Sequence, residues 1–212
     1  MTITADFTEA MGRCPLVAIL RGVRPDEIID IADGLVEAGF TMIEVPLNSP
    51  EPLDSIGLIA KRYDRHVLVG AGTMLSVEDV ANVAERGGRL MVSPNSNPTV
   101  ISAAVAAGMA ALPGYFTPTE AFAALEAGAH GLKLFPAEGA SPAVLKAQRS
   151  VLPKNVPVLA VGGVSVDNLG EWMAAGAAGA GLGGSLYKVG DSSETVRERA
   201  VAFVSAYKSI IA

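Results

Sequence analysis

A (β/α)8 barrel is the fold class this sequence predicts, and three observations predict it. Short apolar runs alternate with longer amphipathic segments eight times, the runs start roughly 20–26 residues apart, and the segments between them repeatedly end at glycine. Strict alternation of strand and helix implies parallel strands joined by right-handed crossovers. Eight such units close a barrel, whereas an open doubly wound sheet more often has about five to seven strands. At 212 residues the chain lies at the lower end of what a complete barrel needs.

The runs are LVAILRG (16–22), MIEVPL (42–47), VLVGAGT (67–73), LMVSPN (90–95), AALPGY (110–115), GLKLFP (131–136), PVLAVGG (157–163) and GAGLGGS (179–185). Between the first two, PDEIIDIADGLVEAG places Ile28, Ile31, Ala32 and Leu35 on one face of a helix. Thr117 with Glu120 has the spacing of a capping box, and Ser165 is placed to cap a helix opening at Val166 and Asp167. Helices are expected to stop at Ala38-Gly39, Gly87-Gly88, Ala107-Gly108, Ala127-Gly128 and Ala175-Gly176, because glycine tolerates the left-handed conformation that ends a helix. Residues 4–12 predict a small helix over the barrel bottom. No linker or composition shift divides the chain, so one domain spanning 1–212 is expected.

Composition narrows the functional classes. Half the residues are hydrophobic and 18% are charged, as in a globular protein. The net charge of −6 comes without acidic or basic blocks, which argues against nucleic-acid binding. Cys14 is the sole cysteine, so no intrachain disulfide can form, and the chain suits a reducing cytoplasm. Residues 1–13 carry Asp6 and Glu9 and no apolar core, so no secretory leader is expected. The most apolar stretch (100–116) is rich in Ala and Gly and is broken by Ser102 and Pro113, too weak for a membrane span.

Barrel enzymes keep their chemistry at the C-terminal ends of the strands. The polar residues there are Arg21, Glu44, Asn48, Thr73, Asn95 and Lys133. Lys61, Lys146, Lys154, Lys188 and Lys208 fall in helices or loops, but Lys133 lies between Leu132 and Leu134 inside an apolar run. Burial disfavours the ammonium, which yields the neutral amine that a Schiff base needs. Glu44, between Ile43 and Val45, could serve as the acid/base beside such an imine; the alternative is an ion pair that only plugs the barrel. Runs seven and eight end in Gly162-Gly163 and Gly183-Gly184-Ser185. Exposed backbone N–H groups at these strand ends commonly hold phosphate, although glycine also serves tight packing. Arg21 could clamp a substrate carboxylate and Thr73 hydrogen-bond it, unless Arg21 is a rim salt bridge. Phe135 is placed to wall the pocket beside the lysine, or to act as a plain core aromatic.

No metal site is expected. His66 and His130 are the only histidines, and both precede strands, at the end remote from the chemistry. No cofactor is expected either. AGAGLGG looks superficially like a dinucleotide loop but runs through a strand start and lacks the following acidic residue.

With these positions assembled, the chain resembles the 2-keto-3-deoxy-6-phosphogluconate and 6-phosphogalactonate aldolase family from Val17 to about Tyr207. The matching segments are AILRG (18–22), EVPLNSP (44–50), GAGT (70–73), SPN (93–95), PG (113–114), TEAF (119–122), KLFPAE (133–138), AVGGV (160–164) and GAGLGGSLY (179–187), of which KLFPAE followed by VGG is the specific one. The resemblance implies a metal-free class I aldolase, a phosphorylated keto-acid substrate and a trimer of barrels. It makes Lys133 the Schiff-base lysine and Glu44 the acid/base. Arg21, Thr73, Pro94 and Phe135 would line the pyruvate end, and Gly162, Gly163, Gly183, Gly184 and Ser185 would hold phosphate. Asn48 and Val161 stand where the phosphogluconate branch has arginine and threonine, so both resemble the phosphogalactonate branch, and Val161 is expected to help set the C4 preference. Gly114-Tyr115-Phe116 departs from the small residues expected there. Competing readings are cleavage of the C4 epimer, a phosphate-binding barrel isomerase or synthase working without an imine, and a barrel kept as a binding module.

Overall fold

The computed structural model describes residues 2–212; Met1 of the expected domain lies outside the described residues. Eight parallel strands close a barrel in chain order, with β8 pairing back onto β1. They are β1 (Leu16–Ile19), β2 (Met42–Pro46), β3 (Leu68–Gly72), β4 (Leu90–Ser93), β5 (Ala110–Tyr115), β6 (Leu132–Leu134), β7 (Val158–Val161) and β8 (Gly179–Leu182). Before β1 comes α1 (Ile3–Arg13), and between the strands run α2 (Ile28–Ala38), α3 (Pro52–Tyr63), α4 (Val77–Glu85), α5 (Pro98–Ala106), α6 (Pro118–Glu126), α7 (Pro142–Arg149) and α8 (Leu169–Ala174), with α9 (Ser193–Ile211) closing the ring.

Every strand is buried along its whole length, which is why the sequence shows short continuous apolar runs in place of alternation. The pleat divides these residues between two cores. Ala18, Ile43 and Leu134 join the layer beneath the helices, while Val17, Met42, Leu68, Leu90, Leu112 and Leu159 fill the interior. In α2 the expected stripe of Ile28, Ile31, Ala32 and Leu35 is buried. Gly39 then ends the helix at φ 111, its N–H donating to the carbonyls of Leu35 and Val36. The Thr117–Glu120 capping box forms at α6.

One helix start differs from expectation. Ser165 does not cap α8, which begins three residues beyond the expected opening, at Leu169 after Asn168. Asn168 Oδ1 accepts from Ser165 N–H at 2.9 Å and its amide donates to the Gly163 carbonyl at 2.9 Å, so residues 166–168 stay in a turn. The run AGAGLGG is β8 itself and its end, not a loop entering a helix. A Cβ on Gly179 would fall 1.9 Å from the Pro15 carbonyl oxygen, so close strand approach demands glycine there.

Helix α1 covers the barrel bottom as expected, with Phe7 and Ala10 joining the interior core. Thr41 Oγ ties it down by donating to the Ala10 and Cys14 carbonyls at 2.9 and 3.1 Å, and Arg89 pairs with Asp6 at 2.5 Å. His130 packs edge-on to Phe7 at this same end, with ring centroids 6.1 Å apart. No helix among the described residues is long and apolar enough to cross a membrane.

Candidate active site

Strands β2 and β6 are four places apart in an eight-strand ring, so their inward side chains face each other across the barrel. The pleat turns Glu44 and Lys133 inward, because their neighbours Ile43, Val45, Leu132 and Leu134 all belong to the outer layer. Glu44 is in register with Ile19 and Gly70, and Lys133 with Gly114 and Leu159. Among the described residues, these are the only acidic or basic side chains that are almost fully buried, Glu44 at 2% and Lys133 at 8% exposure. They line one cavity whose other walls are aliphatic or glycine: Val17, Ile19, Val92, Leu112, Leu159, Val161 and Gly181.

The environment moves both groups toward each other in proton affinity. Burial pushes the Glu44 carboxyl above the usual carboxylate range, with the positive charges of Lys133 and Arg21 opposing only in part. Burial pulls the Lys133 amine below the usual lysine range; Glu44 opposes this and Arg21 adds to it. Glu44 Oε2 is buried without a hydrogen-bond partner, so the carboxyl is not satisfied by structure alone. Lys133 Nζ lies 4.8 Å from the centroid of the Phe135 ring, which places that half-buried ring as a wall beside the amine.

A wider pocket opens above this cavity, between the ends of β6, β7, β8 and β1. Ile19, Arg21, Phe135, Glu138, Val161, Gly162, Gly163, Gly181, Gly183, Gly184 and Ser185 line it. Gly162 and Gly163 turn the chain at φ 107 and 69, conformations closed to most side chains. After β8 the Gly183 carbonyl accepts from the N–H groups of Leu186 and Tyr187, at 2.8 and 3.0 Å. A helical turn therefore starts there and leaves the N–H groups of Gly184 and Ser185 at its open end. Val161 is buried and lines both cavities, so it sits where they join.

Most of the expected site residues meet here, and some do not. Arg21 and Asn48 lie just beyond β1 and β2 and bond to each other, Arg21 Nη1 donating to Asn48 Oδ1. Arg21 thus has a neutral partner in place of the rim salt bridge. Thr73 and Pro94 occupy the ends of β3 and β4 half-buried, Thr73 at φ 57, but neither lines the two cavities. Asn95 is exposed. Tyr115 turns outward, its hydroxyl donating to Gln148 Oε1 at 3.1 Å, and neither it nor Phe116 lines the two cavities.

Two contributors had no role assigned from sequence. A Cβ on Gly72 would fall 1.8 Å from Glu44 Oε2, so this glycine makes the space the carboxylate occupies. Glu138, in the short 3-10 turn Ala137–Gly139, reaches the mouth of the pocket. Its position just past a strand end was the available signal.

A barrel that holds a buried lysine of lowered basicity opposite a buried carboxyl, under an open pocket of backbone donors, is built as a class I aldolase, a carbon–carbon lyase. The family model for KDPG and KHG aldolases matches residues 7–201. The chain belongs to that aldolase family. It is 50% identical over 196 residues to the probable 2-dehydro-3-deoxy-6-phosphogalactonate aldolase of Rhizobium meliloti (strain 1021), covering 92% of each chain. It is 47% identical to the 2-dehydro-3-deoxy-6-phosphogalactonate aldolase of Escherichia coli (strain K12), covering 94% of this chain and 97% of that one. A solved structure described as native KDPGal superposes with a TM-score of 0.93 at 47% identity, over 94% of this chain and 97% of that one.

Proposed function

We propose that this protein cleaves 2-dehydro-3-deoxy-6-phosphogalactonate to pyruvate and glyceraldehyde 3-phosphate through an imine on Lys133. The observation that carries the reading is that Lys133 and Glu44, alone among the acidic and basic side chains of the described residues, are buried, and that they face one aliphatic cavity. Because burial brings their proton affinities together, the one-proton form of the pair includes neutral amine beside carboxylic acid. The amine adds to C2 of the substrate, the acid supplies the proton that lets water leave, and an iminium results. Its positive charge lowers the affinity of Glu44 for a proton, so the glutamate is now a carboxylate. Glu44 takes the C4 hydroxyl proton, the C3–C4 bond breaks, its electrons form the enamine, and the aldehyde departs. The same glutamate returns the proton to C3, and water releases pyruvate from the lysine.

In this reading Arg21, held by Asn48, Thr73, Pro94 and Phe135 serve the pyruvate end. The phosphate meets Gly162, Gly163, Gly183, Gly184 and Ser185. The galactonate configuration is favoured by the two relatives of that name and by Val161, a methyl at the junction of the cavities where threonine would offer a hydroxyl. The protein acts in the cytoplasm as one domain, without metal or cofactor. It works as a homotrimer, for which Phe116, Phe122 and Val144, all exposed on consecutive segments around α6 and α7, supply apolar surface.

Incubation with pyruvate and borohydride tests the mechanism. The expected result is one reduced pyruvyl adduct on Lys133, found by mass spectrometry of the digest. Absence of an adduct, with activity intact, would favour acid/base chemistry without an imine. Lys133→Arg is expected to abolish turnover, since a guanidinium stays protonated. Comparing kcat/KM on the two C4 epimers tests the substrate, and a higher value on the gluconate form would reverse that part of the assignment. Sedimentation equilibrium at three times the protomer mass is the expected result for the assembly.

A further inference from the structure

Glu138 is a carboxylate in a place chosen for an anion. It lines the same pocket as the glycines at the ends of β7 and β8, and a Cβ on Gly163 would fall 3.2 Å from its Oε2 and 3.0 Å from its own Cβ. Gly163 is glycine in part because Glu138 stands against it. The backbone of Glu138 is set by the 3-10 turn that follows β6, so the side chain leaves from a fixed point on the rim. Among the described residues its carboxylate enters none of the ion pairs, although Arg21 lines the same pocket. The folded chain therefore makes no evident structural use of this charge.

A carboxylate beside a phosphate dianion repels it, so by charge alone Glu138 weakens substrate binding. An ionised carboxylate is an acceptor only, and the group that it suits is an alcohol O–H. In the proposed substrate the C4 hydroxyl gives its proton to Glu44, deep in the barrel. The C5 hydroxyl is attached to the carbon next to the phosphate-bearing one, so it must lie near the phosphate-binding glycines. We infer that Glu138 is a specificity-determining residue that accepts a hydrogen bond from the C5 hydroxyl, which is the C2 hydroxyl of the triose phosphate product. The inference rests on the aldolase reading above. On this view the carboxylate exchanges phosphate affinity for selection of a hydroxylated over a deoxygenated chain, because a substrate without the hydroxyl meets the repulsion and gains no bond.

The test runs the reaction in the condensation direction, with pyruvate and either glyceraldehyde 3-phosphate or 3-oxopropyl phosphate, the same aldehyde without the hydroxyl. The wild type should favour the hydroxylated aldehyde by roughly tenfold or more in kcat/KM, the range of a hydrogen bond to a charged group. Glu138→Ala should bring the two aldehydes to within about twofold, while Glu138→Gln, which keeps an acceptor, should hold part of the preference. Inorganic phosphate should inhibit both variants at lower concentration than the wild type, as the repulsion is gone. A preference absent from the wild type, or unchanged in Glu138→Ala, overturns the assignment. Borohydride trapping of pyruvate on Lys133 separates the two levels. Failure to trap in the wild type sinks the imine mechanism on Lys133, whereas trapping retained with an unchanged preference sinks the role of Glu138 alone.

Discussion

A missing methyl decides where the Glu44 carboxyl can stand. Glu44 occupies the volume that any side chain on Gly72 would claim, and a Cβ there would also come within 2.4 Å of its Cδ. Gly72→Ala should therefore swing the carboxyl away from Lys133 and lower kcat by roughly 100-fold or more, the scale of losing an acid/base group. A melting curve near that of the wild type would separate displacement from unfolding, and unchanged kcat would show that Glu44 has room to yield. The pH profile belongs to the same pair. On the proposed mechanism the productive free enzyme carries one proton between Glu44 and Lys133; two protons leave an ammonium, and none leaves no acid. Burial raises Glu44, so the acid limb of kcat/KM should lie above the ordinary carboxylate range. Burial lowers Lys133, so the alkaline limb should lie below the ordinary lysine range. A profile flat between these ranges would remove the pairing from the mechanism.

Elements hold these residues by their ends. Each strand is only three to six residues long, and the polar groups of the site stand on an inward position within a strand or in the loop just after it. Helix starts are set by equally local chemistry. At α6, Glu120 Oε2 accepts from the N–H groups of Phe116 and Thr117 at 2.8 and 2.7 Å, and the Thr117 hydroxyl accepts in return from Glu120 N–H at 3.4 Å. Thr117→Ala should cost about 1 kcal/mol, read as a lower denaturation midpoint with unchanged slope. A loss near zero would mean that Glu120 does the capping unaided. At α8 the same local vocabulary misled. Ser165 had the right residue type, but Asn168 satisfies the turn instead and delays the helix.

Across the whole molecule the barrel separates stability from chemistry. Its lower end is a packed plug, with Phe7 of α1 at 3% exposure among Ala10, Leu68, Leu90 and Ala110, while the polar pair sits nearer the open end. Phe7→Ala should lower stability by about 3 kcal/mol, as large-to-small changes in cores do. The folded variant should keep its kcat. Calorimetry and steady-state assay on the same preparation check both halves, and a fall in kcat at full folding would show that the plug reaches the site.

Strand and helix order, the buried lysine, the buried glutamate and the glycine-ended strands were all legible from residue order alone. Each is a local consequence of composition: doubly buried strands must be short apolar runs, and a charge within one is conspicuous. Closure of the ring was decided by tertiary structure, and with it which side chains meet. Glu44 and Lys133 are 89 positions apart in sequence (133 − 44) and face each other only because β2 and β6 stand opposite in a ring of eight. Gly72 and Gly163 read as motif glycines until Glu44 and Glu138 were seen against them. Thr73 and Pro94, equal candidates by position, line neither cavity. The physical reason is that a strand's pattern reports how deeply its residues are buried, but the space beside each one is set by strands distant in the chain.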